Sequence, residues 1–530
     1  MKKAKVLVAD AIAERGIEQL REVPGLEVDV RPGLKEDQLC QIIGDYDALI
    51  VRSQTKVTPK VLAAARKLRV VGRAGVGVDN VDVDAATQRG VIVMNTPGGN
   101  TISTAEHTFS MIMALSRNIP QAHASVKAGQ WDRKSFEGVE LYNKTLGIIG
   151  MGRIGGEVAR RAIAFGMRVL AYDPYLSPSK ARALQVEVVE LDDIYARADY
   201  ITVHVPLTDQ TKGMINRQTI AKMKKGVRLI NCARGGIIHE RDLVDAIKSG
   251  RVAGAALDVF EKEPPTDSPL RQLDQVIMTP HLGASTQEAQ ESVGIEIAEQ
   301  IKEVLAGGTI RNAVNMPTLD AKTLAVLQPY LRFGEKLGRL LAQIAPTRIE
   351  RLAVEFCGKA AELEGNPVTR AVLKGFLEHA QGQDVNYVNA PFIAEQLGVL
   401  VSEMKSSEPT DFAELLTVRA YVDRREFGVS GTFYGSTNNP RIVRLNNLPV
   451  EAVPQGVLFI MTNKDRPGVV GWIGTIMGQH HINIAGMSLA RDREGGTALT
   501  ILNLDSAPTP EVLKEVRADK DILDVKVATL

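Results

Sequence analysis

Residues 1 to about 97 alternate short apolar runs with stretches of helical periodicity. Lys5–Ala9, Ala48–Val51, Val70–Arg73 and Val91–Asn95 have the length and composition of strands. Their alternation with helical segments predicts a parallel sheet covered by helices. Thr101 to Arg117 is apolar on nearly every side, with Phe109, Met111, Ile112, Met113 and Leu115, which predicts a helix buried between two bodies. A second alternating unit follows, with strands at Thr145–Ile149, Arg168–Tyr172, Tyr200–Val205, Val227–Cys232, Ala255–Val259 and Val276–Thr279. From Ser285 the apolar positions Val293, Ile297, Ile301 and Val304 recur at the helical period until Gly307-Gly308 stops them. No strand follows that helix, so it is expected to return to the first sheet.

This organisation predicts a discontinuous first domain, 1–97 with 286–316, and a second, 98–285, inserted within it. Asn315-Met-Pro317 marks the next boundary, and 317–453 is less regular, with a turn expected at Gly431-Thr-Phe-Tyr-Gly435. The segment 454–530 reads strand, helix, strand, hairpin, strand, helix, strand, the β-α-β-β-α-β order of a ferredoxin-like sandwich. The expected class is α/β: two doubly wound parallel-sheet domains, then an α+β domain, then the small sandwich.

Composition narrows the setting. A chain of 530 residues holds roughly three or four domains. Its 64 Lys and Arg nearly balance its 63 Asp and Glu, so no global field argues for nucleic acid or a membrane surface. Cys40, Cys232 and Cys357 are odd in number and far apart, which reads as reduced thiols and not as a disulfide framework or metal site. The apolar run after Met1-Lys-Lys-Ala-Lys stops at Asp10, too soon for a signal sequence, and no run nears the roughly 20 residues that cross a bilayer. A cytoplasmic protein is expected.

Gly150-Met-Gly-Arg-Ile-Gly155 follows an apolar strand and opens a helix, the context that makes a glycine fingerprint informative. Gly150 serves the tight turn, Gly152 the approach of a pyrophosphate, and Gly155 the packing of helix on strand. Asp173 ends the next strand, where a carboxylate binds ribose hydroxyls and repels a 2′-phosphate, so NAD is favoured over NADP. Gly72-Arg-Ala-Gly75-Val-Gly77 lacks such an acidic partner. It reads either as a tight connection or as a backbone nest for a substrate carboxylate.

Arg234, Asp258 and His281 fall at or just after strand carboxyl ends, where doubly wound sheets bind ligands. An arginine fork suits a substrate carboxylate, and an imidazole suits proton exchange with a keto or hydroxyl oxygen. Glu263, followed by Pro264-Pro265, is placed to orient His281 and raise its pKa. His204, also at a strand end, is expected to support the nicotinamide wall.

These residues resemble the D-isomer-specific 2-hydroxyacid dehydrogenase family. The resemblance runs through Val51-Arg-Ser-Gln-Thr-Lys-Val57, Gly72 to Asn80, Met94-Asn-Thr-Pro97, Gly150–Gly155, Asn231-Cys-Ala-Arg-Gly-Gly236, Ala255 to Phe260 and Pro280 to Thr286. It implies that Arg234 binds substrate, Glu263 partners the histidine and His281 moves the proton. It implies Val76, Arg153, Ile154, Asp173, Val205, Cys232, Asp258, Gly283 and Ala284 around NAD, and Arg52, Ser53, Gly75 and Asn100 facing substrate. Within the family the chain is most similar to long members acting on 3-phosphoglycerate. Their reaction is reversible NAD-dependent oxidation to 3-phosphohydroxypyruvate, the first step of phosphorylated serine synthesis. Arg52 and Arg73 are the candidates for the phosphate, with Arg133 reaching from a neighbouring subunit.

The final segment resembles an ACT domain, which binds amino acids between paired copies. Asn463, Asp465 and Asn483 match its effector positions, with L-serine as the implied ligand and a homo-oligomer, dimer or tetramer, as the implied state. The segment 317–453 resembles the intervening allosteric-substrate-binding domain of long members, with Arg441 and Arg444 as anion contacts. Two other readings share the catalytic set or the fold: a glyoxylate or hydroxypyruvate reductase, and an NAD-sensing corepressor without turnover.

Overall fold

A computed structural model describes residues 3–346, 348–381, 385–408 and 411–530. Four sheets follow one another along the chain. The first is wholly parallel and contains β1 (Ala4–Val8), β2 (Leu26–Val30), β3 (Ala48–Val51), β4 (Val70–Arg73) and β5 (Ile92–Met94) in the order β2-β1-β3-β4-β5. The order reverses between β1 and β3, so a crevice opens at their carboxyl ends. Every residue of β3 is buried, as a strand covered on both faces must be. β2 has no counterpart among the expected strands. Its Leu-Glu-Val-Asp-Val alternation belongs to a half-buried edge, where charge on one face hides the apolar run.

The second sheet contains β6 (Thr145–Ile149), β7 (Arg168–Tyr172), β8 (Glu187–Val188), β9 (Tyr200–Val203), β10 (Val227–Asn231), β11 (Val252–Leu257) and β12 (Val276–Met278). Their order is β12-β11-β10-β9-β6-β7-β8, again all parallel, with its switch point between β6 and β9. β8 is two exposed residues and carries no apolar signal.

The chain passes between these lobes twice. Helix Thr101–Arg117 seats Ala105, Phe109, Ile112 and Leu115 against Leu146, Ile148 and Ile230 of the second sheet. Helix Gln287–Leu305, capped by Thr286, seats Val293, Ile297, Ile301 and Val304 against Val6, Val8 and Ile50 of the first. Burying Ile297 and Ile301 contributes about 1.5–3 kcal/mol each. The two crossings touch, since the Thr104 hydroxyl donates to the Gly283 carbonyl at 3.1 Å.

The third sheet is mixed: β13 (Arg351–Gly358), β14 (Leu400–Ser406), β15 (Glu414–Val422), β16 (Arg425–Phe433), β17 (Pro440–Leu445) and β18 (Leu448–Ala452) in the order β14-β13-β15-β16-β17-β18. β13 and β14 are parallel and the other pairs antiparallel. Long helices Ala321–Ile344 and Gly365–Gln381 accompany this sheet. The turn expected at 431–435 is displaced. Gly431, Thr432 and Phe433 end β16, paired with Ile442, Arg441 and Pro440, and the chain turns only beyond them. A side chain at Gly431 would collide with the Phe333 ring, so this glycine marks a close approach inside a strand.

The fourth sheet is antiparallel, β20-β21-β19-β22, from β19 (Val457–Lys464), β20 (Ile484–Arg491), β21 (Thr497–Leu504) and β22 (Ile522–Thr529). With helices Val469–Gln479 and Pro510–Arg517 it forms the expected ferredoxin-like unit. Leu458, Ile460, Leu499 and Ile501 from this sheet join the buried cluster of the third, so the last two units share apolar packing.

Candidate active site

The glycine turn follows β6. Gly150 has φ +97°, a conformation that side chains avoid, and a Cβ on Gly155 would collide with the Gly150 carbonyl. Gly152 instead faces open space and caps helix Arg153–Ala164, leaving the first-turn N–H groups and the positive helix end toward an anion. Asp173 accepts from the Met151 N–H at 2.8 Å and from the Tyr175 N–H at 2.8 Å, so it sits against the turn with one oxygen on each. Open room at Gly152, a helix end and a carboxylate at the tip of the adjacent strand together fit a dinucleotide.

Around this turn, Ile154 and Val205 are half-buried. Arg153 is exposed, and its guanidinium lies 3.6 Å from where a Cβ on Gly98 would stand, reaching toward the first lobe. Burial pushes the Cys232 thiol up to about 12, with the nearby Asp258 carboxylate adding to the effect, so it is an inert part of the wall. His204 donates or accepts through Nε2 to Thr202 Oγ1 at 3.0 Å, while its Nδ1 is buried without a partner. Burial lowers its pKa to about 4, leaving it neutral.

Asp258 lies just past the carboxyl end of β11 and is fully buried. It accepts from the Thr279 hydroxyl at 2.6 Å, the Leu282 N–H at 2.7 Å and the Gly283 N–H at 2.8 Å. His107 Nε2 stands 3.2 Å from the same carboxylate. Burial alone would raise its pKa, but His107, Thr279 and the two N–H groups outweigh that and hold it ionised. Its effect is to fix the loop that carries His281, whose φ of +56° is unusual for a residue with a side chain. Ala284 follows, half-buried, its carbonyl accepting from Gln290 at 2.6 Å.

His281 Nδ1 meets Glu263 Oε2 at 2.9 Å, and the other Glu263 oxygen accepts from the Phe260 N–H at 3.1 Å. The hydrogen bond that His281 donates to Glu263 raises the histidine pKa, against burial and the charge of Arg234. For Glu263, burial is overcome by the bond and charge of His281, and the carboxyl stays below its ordinary value. With Nδ1 engaged, Nε2 is the nitrogen left for a substrate.

Arg234 stands just beyond β10 on a loop tied by Asn231, whose amide donates to the Arg234 carbonyl at 2.8 Å and accepts from Ala233 N–H at 3.0 Å. Its Nε lies 3.2 Å from Asp79 of the first lobe. Arg73, at the carboxyl end of β4, is the most perturbed cation of the crevice. Burial first and the charge of Arg234 second lower its pKa to about 10, and its Nε has no hydrogen-bond partner. Gly75 has φ +148°, and a Cβ there would overlap the Arg73 guanidinium.

Arg52 is also lowered by burial, its Nη1 donating to the Ala11 carbonyl at 3.1 Å. Buried Asp10 pins its loop, accepting from the Arg52 N–H at 2.6 Å and from Thr55 through N–H and hydroxyl. Asn80 adds bonds to the Arg52 and Thr55 carbonyls. Ser53 in the same loop is exposed, and Val76 is half-buried with its carbonyl bound by Asn95. Asn100 begins helix Thr101–Arg117, its Oδ1 buried and unpartnered. Three guanidinium groups thus gather in the region where His281 and Glu263 pair, and burial lowers the pKa of two of them, Arg52 and Arg73. Such a cluster is relieved by a multiply charged anion.

Asp10 and His107 escaped the sequence reading, and Asp79, Asn80, Asn231 and Thr279 appeared in it only inside motifs or strand ends, without a role. The signal for Asp10 was its place directly after the apolar end of β1. Arg133 is exposed on a loop. Arg441 donates to Asn439 and the Pro440 carbonyl, and Arg444 pairs with Asp411 at 3.3 Å, so both are engaged within the chain.

The effector positions do not form one pocket within a chain. Asn463 pairs with Ala498 at one end of the fourth sheet, and Asp465 nearby accepts from Arg491 and the Gly495 N–H. Asn483 adjoins the Ile484–Leu504 end and donates to Asp505 at 2.8 Å. Strand register puts the two groups at opposite ends of the sheet, roughly 20 Å apart at ~3.3 Å per residue.

Three family models match in succession. They are the D-isomer specific 2-hydroxyacid dehydrogenase, NAD binding domain, over 109–283; the D-3-phosphoglycerate dehydrogenase intervening domain over 326–446; and the ACT domain over 457–521. A D-3-phosphoglycerate dehydrogenase of Archaeoglobus fulgidus is 45% identical over 99% of this chain and 100% of its own length. One from Bacillus subtilis is 44% identical, covering 99% of each chain. Among solved structures, a glyoxylate reductase from Paecilomyes thermophila is 30% identical with a TM-score of 0.55, over 59% of this chain and 99% of its own. The reductase lacks a counterpart to the rest of this chain, whereas the dehydrogenases match it end to end. The chain therefore belongs to the long-form D-3-phosphoglycerate dehydrogenases of the 2-hydroxyacid dehydrogenase family.

Proposed function

We propose that this chain oxidises D-3-phosphoglycerate reversibly to 3-phosphohydroxypyruvate with NAD, opening the phosphorylated route to serine. The observation that carries the reading is the cluster of Arg52, Arg73 and Arg234 beside the His281–Glu263 pair. A substrate with a carboxylate at one end and a phosphate at the other needs more cations than an unphosphorylated keto acid does.

Arg234 holds the carboxylate, and Arg52 and Arg73 take the phosphate. Gly150, Gly152 and Gly155 with Asp173 hold NAD, which supplies the hydride acceptor at its nicotinamide ring. His281 Nε2 accepts the proton of the C2 hydroxyl in the oxidative direction and returns it to the carbonyl oxygen in the reverse. Glu263 keeps Nδ1 protonated and stabilises the imidazolium as it forms. Because that bond raises the His281 pKa, the protonated form persists to higher pH than in a free imidazole, which extends reduction upward in pH and moves oxidation to higher pH.

The segment 119–142 exposes the large apolar side chains Ile119, Val126, Trp131 and Tyr142, which a second copy would cover, and a homo-oligomer is part of this reading. Arg133 in that segment would then approach a neighbour's crevice. L-Serine is the proposed effector of the ACT unit, and the cytoplasm the proposed site of action. Among the described residues no helix is long and apolar enough to cross a membrane.

The deciding experiment compares NADH oxidation with 3-phosphohydroxypyruvate, hydroxypyruvate and glyoxylate, each with and without L-serine. Strong preference for the phosphorylated acid supports the assignment. Preference for the others would make the chain a general keto acid reductase, and no turnover with any would favour a non-catalytic NAD sensor.

A further inference from the structure

The crevice uses the carboxyl ends of the first sheet. The amino ends of β4 and β5 meet a second cleft, of about 670 Å³, closed on its other side by the segment carrying Asn386 and Tyr387 from the third lobe. Arg66, Lys67 and Arg69 enter it from the loop before β4, and Arg89 from the loop before β5. Among the described residues no carboxylate lines it. Lys67 reaches outward to Asp45 at 3.2 Å, and Arg69 makes a long bond of 3.4 Å to the Val304 carbonyl. Arg66 and Arg89 make no side-chain hydrogen bond or ion pair among the described residues. The far wall is not loosely placed, because Asn386 donates to the Gly90 carbonyl at 2.8 Å and accepts from the Val388 and Asn389 N–H groups.

We propose that this cleft is a binding site for a small multivalent oxyanion, a phosphate ester or a polycarboxylate, held chiefly by Arg66 and Arg89 between the first and third lobes. Its volume falls in the range of small-molecule sites. Converging cations without a counter-charge supply the attraction, and guanidinium forks supply the geometry. The site is distinct from the catalytic crevice, since Arg69 precedes β4 and Arg73 ends it, so the strand separates the two by roughly 13 Å at ~3.3 Å per residue. An occupant would bridge the first lobe to the third and could be felt at Arg73 through that one strand.

The test is calorimetric titration of the full chain, saturated with NADH, using inorganic pyrophosphate in one arm and citrate in the other. Wild type is compared with an Arg66→Gln/Arg89→Gln variant and with Arg73→Gln. The expected result is saturable binding of at least one probe, weakened about tenfold or more in the double variant and kept in Arg73→Gln. The arm that binds tells phosphate from carboxylate chemistry. The double variant should keep its melting temperature and its KM for 3-phosphohydroxypyruvate. Should it fail to fold, Arg89→Gln alone serves, with a smaller loss of the same sign. Absence of saturable binding in wild type, or binding lost in Arg73→Gln and untouched in the double variant, would overturn the proposal.

Discussion

Asp79 of the first lobe and Arg234 of the second form an ion pair across the crevice, 3.2 Å from carboxylate to Nε. Asp79 thereby occupies the cation assigned to the substrate carboxylate, so substrate must displace it. Because Asp79 is largely exposed, the pair is weak. Asp79→Asn should lower KM for the keto acid by about two- to fivefold and leave kcat nearly unchanged. A higher KM would mean that Asp79 orients Arg234 for binding instead of competing for it.

Glu263→Gln removes the negative partner that raises the His281 pKa. In the parent protein the imidazolium is supported below its ordinary pKa and loses that support as pH rises through the raised folded value. The alkaline limb of keto acid reduction should therefore move to lower pH in the variant. His281→Ala should cut turnover by about 10²–10⁴ while NADH binding survives. Both are read from kcat/KM profiles beside fluorescence titration of NADH. An unmoved limb in Glu263→Gln would detach Glu263 from the proton step.

Gly75→Ala places a methyl group in the space of the Arg73 guanidinium, at a φ that alanine resists. Arg73 must then swing aside. KM for 3-phosphohydroxypyruvate should rise about tenfold or more, with the affinity for NADH retained. Equal loss of both would point to a general disturbance of the first lobe.

Asn463 and Asp465 stand at one end of the fourth sheet and Asn483 at the other. An amino acid touching all of them needs two chains. Inhibition by L-serine should then fade as the enzyme is diluted to monomers, followed by sedimentation and activity at the same concentrations. Undiminished inhibition of monomers would place the effector within one chain.

Much of the catalytic half is legible in sequence, because parallel strands buried on both faces are written as continuous apolar runs. A pairing written in motifs is legible too: Glu263 and His281, 18 positions apart, meet at 2.9 Å. What escapes is whatever depends on contacts distant along the chain. Asp10 gains its role only by bonding the Arg52 loop 42 positions later. Asp79 is an ordinary surface aspartate until Arg234 arrives from the other lobe. Gly431 reads as a turn because the ring of Phe333, which needs the missing side chain, lies far away in sequence. Asp258 is legible as a strand-end residue, but the four neighbours that tie its carboxylate to the histidine loop are not.

The two passages between the first and second lobes lie side by side, stitched by the Thr104–Gly283 bond. Two adjacent strands of backbone act as the pins of a door. They permit swinging about the line that joins them and resist sliding or twisting of one leaf over the other. The segment bearing His281 runs into one of those pins, so the proposed proton-transferring group stays close to the axis, where a given swing displaces atoms least. The crevice can thus gape to admit its ligands and shut again with little disturbance of its most exacting geometry.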